Sequence, residues 1–130
     1  MYTKLKDYIS GLTLDFDSIP EERKHSLQDI ANFITKDLNE KGVVKLNFIC
    51  THNSRRSHLA QIWTQTAAFQ FEIDGVETYS GGTEATAFNP RAVASIERAG
   101  FDIKNPGGDN PRIGVRFNDE ADPMICFSRT

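Results

Sequence analysis

The sequence has few cysteines and no long apolar run, and both shortages narrow the class of protein. Two cysteines in 130 residues are too few for the disulfide framework that stabilises many small secreted domains. No apolar stretch approaches the roughly 20 residues of a membrane-spanning helix, and no apolar segment follows the first lysines as a signal peptide requires. We therefore expect a soluble, cytoplasmic protein with no membrane partner.

The sequence also lacks an excess of positive charge. Lysine and arginine total 15 against 18 aspartates and glutamates, which gives a formal net charge of −3. Nucleic-acid-binding domains usually carry a basic surplus, so the composition argues against nucleic acid as a partner. There are no internal repeats or low-complexity tracts, and the 38% hydrophobic content is enough for one core. A single domain spanning residues 1–130 is predicted.

One segment combines residue types that suit anion chemistry. The apolar residues 43–49 are followed by Cys50-Thr51-His52-Asn53-Ser54-Arg55-Arg56-Ser57, and a helical pattern then runs from position 58 to position 70. This order predicts a buried strand, a tight loop and a helix, whose N-terminus and loop amides favour a bound anion. Such surroundings lower a cysteine pKa from about 8.5 to roughly 3.5–7.5 and favour a thiolate. Arg56 supplies a planar guanidinium that fits two oxygens of a tetrahedral oxyanion.

A structural interpretation of the same segment stands beside the chemical one, because the cysteine–arginine spacing alone is a weak pattern. In that alternative Cys50 is a buried strand-end cysteine, which is a common environment for this residue. It leaves Arg55 and Arg56 at a helix N-terminus, where the dipole disfavours cations unless an anion lies between them. We therefore predict an oxyanion-binding loop, with Cys50 and Arg56 as the catalytic candidates. The predicted oxyanion-binding residues are Thr51, His52, Asn53, Ser54, Arg55, Arg56 and Ser57.

The loop segment, continued by His58-Leu59-Ala60-Gln61, resembles the active-site loop of low-molecular-weight protein tyrosine phosphatases. It resembles still more closely the loop of their relatives, the thioredoxin-coupled arsenate reductases. Further matches occur at a strand end, a helix start and a helix exit of the same family, in residues 79–84, 89–93 and 98–103. The resemblance covers about residues 43–104 and implies an α/β fold with an open parallel three-layer sheet.

The resemblance implies a cysteine-dependent phosphatase that hydrolyses phosphomonoesters such as phosphotyrosine through a phosphocysteine at Cys50. Cys50 would attack phosphorus or arsenic, and Arg56 would bind the oxyanion and stabilise the transition state. Asn53 would hold the loop in its strained shape, which agrees with the tolerance of asparagine for left-handed dihedral angles. Ser57 would hydrogen-bond the Cys50 sulfur and assist its departure.

Two loop residues depart from the family pattern. His52 stands where the family usually has glycine, and we expect its side chain to face solvent rather than line the mouth of the pocket. Arg55 replaces the second loop cysteine of the phosphatases, so a protective disulfide within the loop is not available. Its added positive charge favours a more anionic substrate or a lower pKa for Cys50.

The general acid implied by the resemblance is harder to place. In the family it is an aspartate of an Asp-Pro loop after a fourth buried strand, and the sole Asp-Pro here is Asp122-Pro123. About twenty residues after Ile103 leave no room for a further buried parallel strand and helix. We therefore predict that the chain lacks the family's last strand and acid loop, and that Asp122 is a turn residue and only a minor candidate. A missing acid would lower the rate about 10²–10⁴-fold.

The alternative function is arsenate reduction through a Cys50–arsenic adduct. Arsenate reductases release arsenite by moving a disulfide from the nucleophile to other cysteines, and their usual extra pair is absent here. Cys126 is more simply interpreted as a buried strand cysteine, but it is the only internal redox candidate. Otherwise an external thiol such as thioredoxin or glutathione must act. A third interpretation is a catalytically weak oxyanion-binding domain.

In each case the partner is a phosphorylated protein or a small oxyanion, phosphate or arsenate, and no cofactor or metal is implied.

The rest of the sequence divides into three parts. Residues 1–42 form an N-terminal helical extension, whose helix begins with a capping box at Ser18 and Glu21 and packs on a sheet face. Its predicted apolar stripe consists of Leu27, Ile30, Ala31, Ile34 and Leu38. Residues 43–104 form a βαβα core, in which residues 75–80 are the second strand and residues 89–99 the last helix.

Residues 105–130 form a loop and a hairpin of two strands, residues 113–117 and 124–128. An apolar strand at a sheet edge is open to pairing with another chain, which predicts a homodimer.

Overall fold

A computed structural model describes residues 1–130. The helices are α1 (Thr3–Thr13), a 3-10 helix (Phe16–Ser18), α2 (Glu21–Lys41), α3 (Arg56–Gln70) and α4 (Pro90–Ala99). The strands are β1 (Val44–Cys50), β2 (Val76–Gly82), β3 (Asp102–Lys104), β4 (Ile113–Arg116) and β5 (Met124–Cys126). β1 and β2 pair in parallel, and β3, β4 and β5 form an antiparallel sheet in that order. The predicted α/β class is confirmed.

The parallel pair brings the end of β2 beside the predicted anion loop. Its register places Cys50, the last residue of β1, opposite Gly82, the last residue of β2. α3 connects the two strands and packs on both, and the Gln61 side chain donates to the Thr78 carbonyl at 3.1 Å. The loop between β1 and α3 therefore lies at the carboxyl ends of both parallel strands, where open α/β sheets usually bind ligands.

The hydrophobic core lies between α1, α3, α4 and the antiparallel sheet. It contains 11 buried side chains, which come from all four of these elements and from residues beside them. Ile62 of α3 is among them, and burying an isoleucine contributes about 1.5–3 kcal/mol. The helix that begins at the anion loop is thus fixed to the core by its own apolar side.

Two helices, rather than the one predicted, precede β1. In α1, Leu5 is fully buried and Tyr8 stacks on Trp63, with 5.7 Å between ring centroids. The end of α4 approaches so closely that a Cβ on Gly100 would lie 2.5 Å from the Leu5 nitrogen. α1 is therefore part of the core, which the sequence pattern did not indicate.

The capping box predicted before α2 is wrong. Ser18 lies in the 3-10 helix, where its hydroxyl donates to the Asp15 carbonyl at 2.6 Å, and α2 begins at Glu21 without a side-chain cap. The predicted apolar stripe is also largely exposed: Leu27 and Ile30 retain 48% and 53% of their accessible surface. α2 packs on β1 only through a few residues, so it does not cover the sheet face as expected.

The C-terminal hairpin is confirmed, with β4 and β5 antiparallel and Ile113 opposite Cys126. β3 was not predicted as a strand, and it pairs with β4 through Ile103 and Val115. None of the helices combines the length and the apolar character needed to cross a lipid bilayer.

Candidate active site

The residues between β1 and α3 curl around a pocket of about 590 Å³. Five of the eight predicted loop residues line it, together with two residues between β2 and α4. The lining residues are Cys50, His52, Ser54, Arg55, Arg56, Thr86 and Asn89. Of the other three predicted residues, Thr51 is exposed, whereas Asn53 and Ser57 are buried. The loop is thus neither extended nor packed with its thiol in the core.

The thiol of Cys50 lies among hydrogen-bond donors. Its sulfur is 3.0 Å from the hydroxyl oxygen of Ser57. Burial raises the pKa of the thiol, but the Ser57 hydroxyl and the backbone N–H groups of Ser57, Ser54 and Asn53 together lower it from 9.0 to about 7. A thiol with this pKa is about half ionised at neutral pH, so the loop favours a reactive thiolate.

Asn53 links the loop to the first turn of α3. It is fully buried with φ 46°, in the left-handed region that asparagine tolerates. Its Nδ2 donates to the Ser57 oxygen at 2.7 Å, and its Oδ1 accepts the backbone N–H of Arg129 at 3.0 Å. These contacts fit the role that the resemblance implies for Asn53, and the role itself stays a prediction.

Two arginines bring positive charge to the pocket at the start of α3. Arg56 is the first residue of the helix and Arg55 precedes it. Neither forms an ion pair with a carboxylate, so both guanidinium groups remain open to a ligand. Two uncompensated cations beside a helix N-terminus repel its dipole, and an anion between them relieves that repulsion.

The rim of the pocket is polar, and His52 forms part of it. His52 Nε2 lies 3.3 Å from Glu84 Oε2, and the His52 side chain is 52% exposed. The expectation that His52 faces solvent rather than the pocket is therefore only half right, because the residue does both. No aromatic side chain lines the pocket apart from this imidazole.

The end of β2 packs closely against the backbone of the loop, and the sequence did not indicate so short a distance between the two segments. A Cβ on Gly82 would lie 2.7 Å from the Asn53 nitrogen and 2.8 Å from the Thr51 oxygen. The backbone N–H groups of Thr83 and Glu84 both donate to the Thr51 carbonyl, at 2.8 and 2.9 Å. Glycine is thus needed here for close approach between two backbone segments.

The segment after β5 also reaches the loop, which sequence reasoning missed. The buried Ser128 donates its hydroxyl to the His52 carbonyl at 2.6 Å, and the adjacent Arg129 amide reaches Asn53. In the sequence, the one hint of this role is that Ser128 and Arg129 are two polar residues directly after an apolar strand. Contacts over 76 positions are not visible in local patterns.

The structure does not bring the two remaining candidates to the pocket. Asp122 is exposed in the connection between β4 and β5, and it does not line the pocket. Cys126 is fully buried in the core, and burial raises the pKa of its thiol to about 12, against a smaller opposing effect of the Arg129 charge. This is the environment of a structural cysteine, and a redox role for Cys126 stays a prediction.

An α/β fold with a thiol and an arginine around a polar pocket after the first parallel strand is the arrangement that the motif resemblance implies. Comparison with known proteins supports that resemblance over 79 residues, or 61% of the chain. The identity is 40% to an arsenate reductase of Bacillus subtilis, 39% to one of Staphylococcus aureus and 33% to one of Bacillus cereus. The resemblance to the family of arsenate reductases and low-molecular-weight phosphatases is thus confirmed.

The aligned region covers 54%, 57% and 56% of these three relatives, so the chain spans about half the length of the curated relatives it matches. No protein-family model matches the chain, and no solved structure matches it significantly.

Proposed function

We propose that this chain captures arsenate through Cys50 as part of an arsenate reductase. The observation that carries the proposal is the Cys50 sulfur, which lines an arginine-rich pocket at 3.0 Å from the Ser57 hydroxyl with a pKa of about 7. The names of the matched relatives favour arsenate among the possible oxyanions. A polar lining without a phenyl or indole ring also suits a small inorganic ion better than an aryl ester.

The first step is nucleophilic attack of the Cys50 thiolate on arsenic. A sulfur–arsenic bond forms and an arsenic–oxygen bond breaks, and the departing oxygen leaves as water once it has been protonated. Arg56 balances the charge on the remaining oxygens, and the loop amides fix their positions. The Ser57 hydroxyl holds the thiolate before the attack.

The second step transfers electrons and needs another thiolate. That thiolate attacks the Cys50 sulfur, a disulfide forms, and the pair of electrons of the sulfur–arsenic bond stays on arsenic. Arsenic(V) becomes arsenic(III) and the two thiols are oxidised to one disulfide. Because Cys126 is buried and its thiol has a raised pKa, an external thiol, from thioredoxin or glutathione, is the better candidate.

Hydrolysis of phosphomonoesters, which the resemblance implied first, is the second candidate. It uses the same thiolate and the same arginine, and water releases phosphate from a phosphocysteine. The reaction gains more from an acid that protonates the leaving alcohol, and no carboxylic acid lines this pocket. The third candidate, an oxyanion-binding domain with weak activity, shares the pocket but not the chemistry.

Two assays on the same protein distinguish the three candidate functions. One measures arsenate-dependent oxidation of thioredoxin or glutathione, and the other measures hydrolysis of an aryl phosphate. We expect arsenate reduction that Cys50→Ser abolishes and Cys126→Ser leaves intact, with Arg56→Lys retaining charge but losing most of the rate. Aryl phosphate hydrolysis without arsenate reduction would instead favour the phosphatase. No activity in either assay, with phosphate still bound at the loop, would favour the oxyanion-binding domain.

Homodimerisation and a cytoplasmic location stay predictions from the sequence. A light-scattering mass of one subunit at micromolar concentration would contradict the dimer.

A further inference from the structure

One buried hydroxyl joins two walls of the oxyanion pocket. Ser128 retains 2% of its accessible surface, and its Oγ donates to the His52 carbonyl at 2.6 Å. The same oxygen accepts the backbone N–H of Thr86 at 2.7 Å. His52 belongs to the loop after β1 and Thr86 to the segment after β2, and both residues line the pocket. Direct bonds also join these walls, such as the one from the Thr86 hydroxyl to the His52 carbonyl at 3.4 Å, so Ser128 is one of several links that set their spacing, although it does not itself line the pocket.

The next residue begins a series of hydrogen bonds that ends at the nucleophile. The backbone N–H of Arg129 donates to Asn53 Oδ1 at 3.0 Å, and Asn53 Nδ2 donates to Ser57 Oγ at 2.7 Å. Ser57 Oγ in turn lies 3.0 Å from the Cys50 sulfur. Because the Asn53 amide is held at both ends, the orientation of the Ser57 hydroxyl is coupled to the backbone position of Arg129.

A third residue holds this segment in place from the loop before β4. Asn110 Nδ2 donates to the Ser128 carbonyl at 2.8 Å, and Asn110 Oδ1 accepts the Ser128 N–H at 3.0 Å. Two parallel bonds of this kind fix both the position and the direction of a backbone segment. The Arg129 carbonyl is fixed as well, since it accepts the Gly82 N–H at 2.8 Å.

We propose that Asn110, Ser128 and Arg129, here called the loop clamp, are positioning residues that set the width of the oxyanion pocket and aim Ser57 at Cys50. The clamp rests on the proposed function only in that Cys50 is the nucleophile. Its effect is indirect, because none of the three residues lines the pocket. Loss of the Ser128 hydroxyl leaves the Thr86 amide without this acceptor and leaves the His52 carbonyl with only the Thr86 hydroxyl, at 3.4 Å, so the link between the two walls weakens.

The test compares Ser128→Ala and Asn110→Ala with wild type by the pH dependence of Cys50 alkylation with iodoacetamide, located by mass spectrometry. Protection of Cys50 by arsenate and by phosphate is measured on the same samples. We expect both variants to shift the alkylation midpoint upwards and to need about fivefold more oxyanion for protection, the effect of about one hydrogen bond. Ser128→Thr keeps a hydroxyl and is expected to restore wild-type behaviour.

Asn105→Ala is the matched control within the same loop. The Asn105 side chain accepts only the Gly107 N–H, at 2.9 Å on the surface, and makes no hydrogen bond with the clamp. We expect its alkylation profile to equal that of wild type. Should the alanine variants fail to fold, Asn110→Asp keeps the acceptor for the Ser128 N–H but loses the donor to its carbonyl, and it is expected to show a smaller shift.

Equal alkylation profiles and equal protection in wild type and folded clamp variants would overturn the proposal, even if their thermal stability falls. Neither alkylation nor protection requires turnover, so these measurements can be interpreted even if the protein does not reduce arsenate. In that case arsenate reduction is absent while the alkylation profiles still differ between wild type and the variants.

Discussion

The hydroxyl oxygen of Ser57 lies 3.0 Å from the sulfur of Cys50. Because Asn53 Nδ2 already donates to that oxygen, the hydroxyl proton is free to point at the sulfur. A hydroxyl that donates to a thiolate stabilises the charged form, as do the loop amides around it. The end of β1 and the first turn of α3 thus meet in one hydrogen bond that favours ionisation of the Cys50 thiol.

Replacing Ser57 by alanine should raise the pKa of Cys50 above about 7 and lower its thiolate fraction at neutral pH. The reason is the loss of a charge-assisted hydrogen bond, while the backbone N–H groups remain. Ultraviolet absorbance of the thiolate, titrated from pH 5 to 10, measures the change. Ser57→Thr keeps the hydroxyl and is the control. A midpoint in Ser57→Ala equal to that of wild type would show that the hydroxyl does not stabilise the thiolate.

Gly82→Ala should weaken oxyanion binding strongly, whereas Gly81→Ala should leave it almost unchanged. An added Cβ at Gly82 would lie 2.7 Å from the Asn53 nitrogen, but at Gly81 the nearest atom is 3.8 Å away, an ordinary contact. Forcing an extra methyl group into such a space typically costs about 1–3 kcal/mol and displaces backbone. Calorimetric titration with phosphate and urea denaturation measure the two effects.

Equal affinities in the two alanine variants would contradict the close approach of β2 to the loop. Neither glycine has a positive φ, so a difference between them would arise from space rather than from backbone conformation.

The curled loop between β1 and α3 could be predicted because its signals are local. An apolar strand, a polar loop with Asn53 and two arginines, and a helical pattern follow one another within about thirty residues. The contacts that hold the loop are not local. Gly82 and Ser128 meet it from positions far along the chain, and nothing in their sequence neighbours indicates a partner at position 52 or 53.

The errors elsewhere have the same physical origin. Ser18 has the spacing of a capping box, but its hydroxyl donates to the Asp15 carbonyl within a tight turn and so does not cap α2. α1 escaped prediction because much of its length faces solvent, and Leu5 is its only fully buried residue. β3 has three residues, too few for a period to be recognised, and only its pairing with β4 makes it a strand.

Acidification should destabilise the protein through His58. This imidazole is fully buried against Phe88, and burial, with a smaller effect of the Arg129 charge, lowers its pKa from 6.5 to about 4. Between those pH values the unfolded chain binds a proton that the folded chain does not, so the free energy of unfolding falls as the pH is lowered from about 6.5 to about 4. The expected loss is on the order of 1–3 kcal/mol.

Urea denaturation of wild type and His58→Asn at pH 7 and pH 5 tests this dependence. The asparagine does not titrate but can still bond to the Ser80 hydroxyl, which lies 3.1 Å from His58 Nδ1. We expect the variant to lose less stability than wild type between the two pH values. The same loss in both proteins would assign the acid sensitivity to other groups.

Two glycines test whether α1 is fixed to the core. Gly100 has φ 119°, and a Cβ there would lie 2.5 Å from the Leu5 nitrogen, so Gly100→Ala must strain its own backbone and push α1 away. The backbone strain alone costs about 1–3 kcal/mol. Gly11 lies inside α1 with nothing within 4 Å of its Cβ position, so Gly11→Ala should instead stabilise the protein by about 0.5–1 kcal/mol.

The free energy of unfolding, measured by urea denaturation, is expected to fall in Gly100→Ala and to rise in Gly11→Ala relative to wild type. If α1 were detached from the core, Gly100→Ala would lower the free energy of unfolding only by the backbone strain. Leu5→Ala would then lower it by far less than the about 2–5 kcal/mol expected for a buried leucine. If α1 were not helical near its middle, Gly11→Ala would bring no gain, since the gain comes from the helical propensity of alanine. The full pattern is therefore expected only when α1 is a helix that packs through Leu5 against the end of α4.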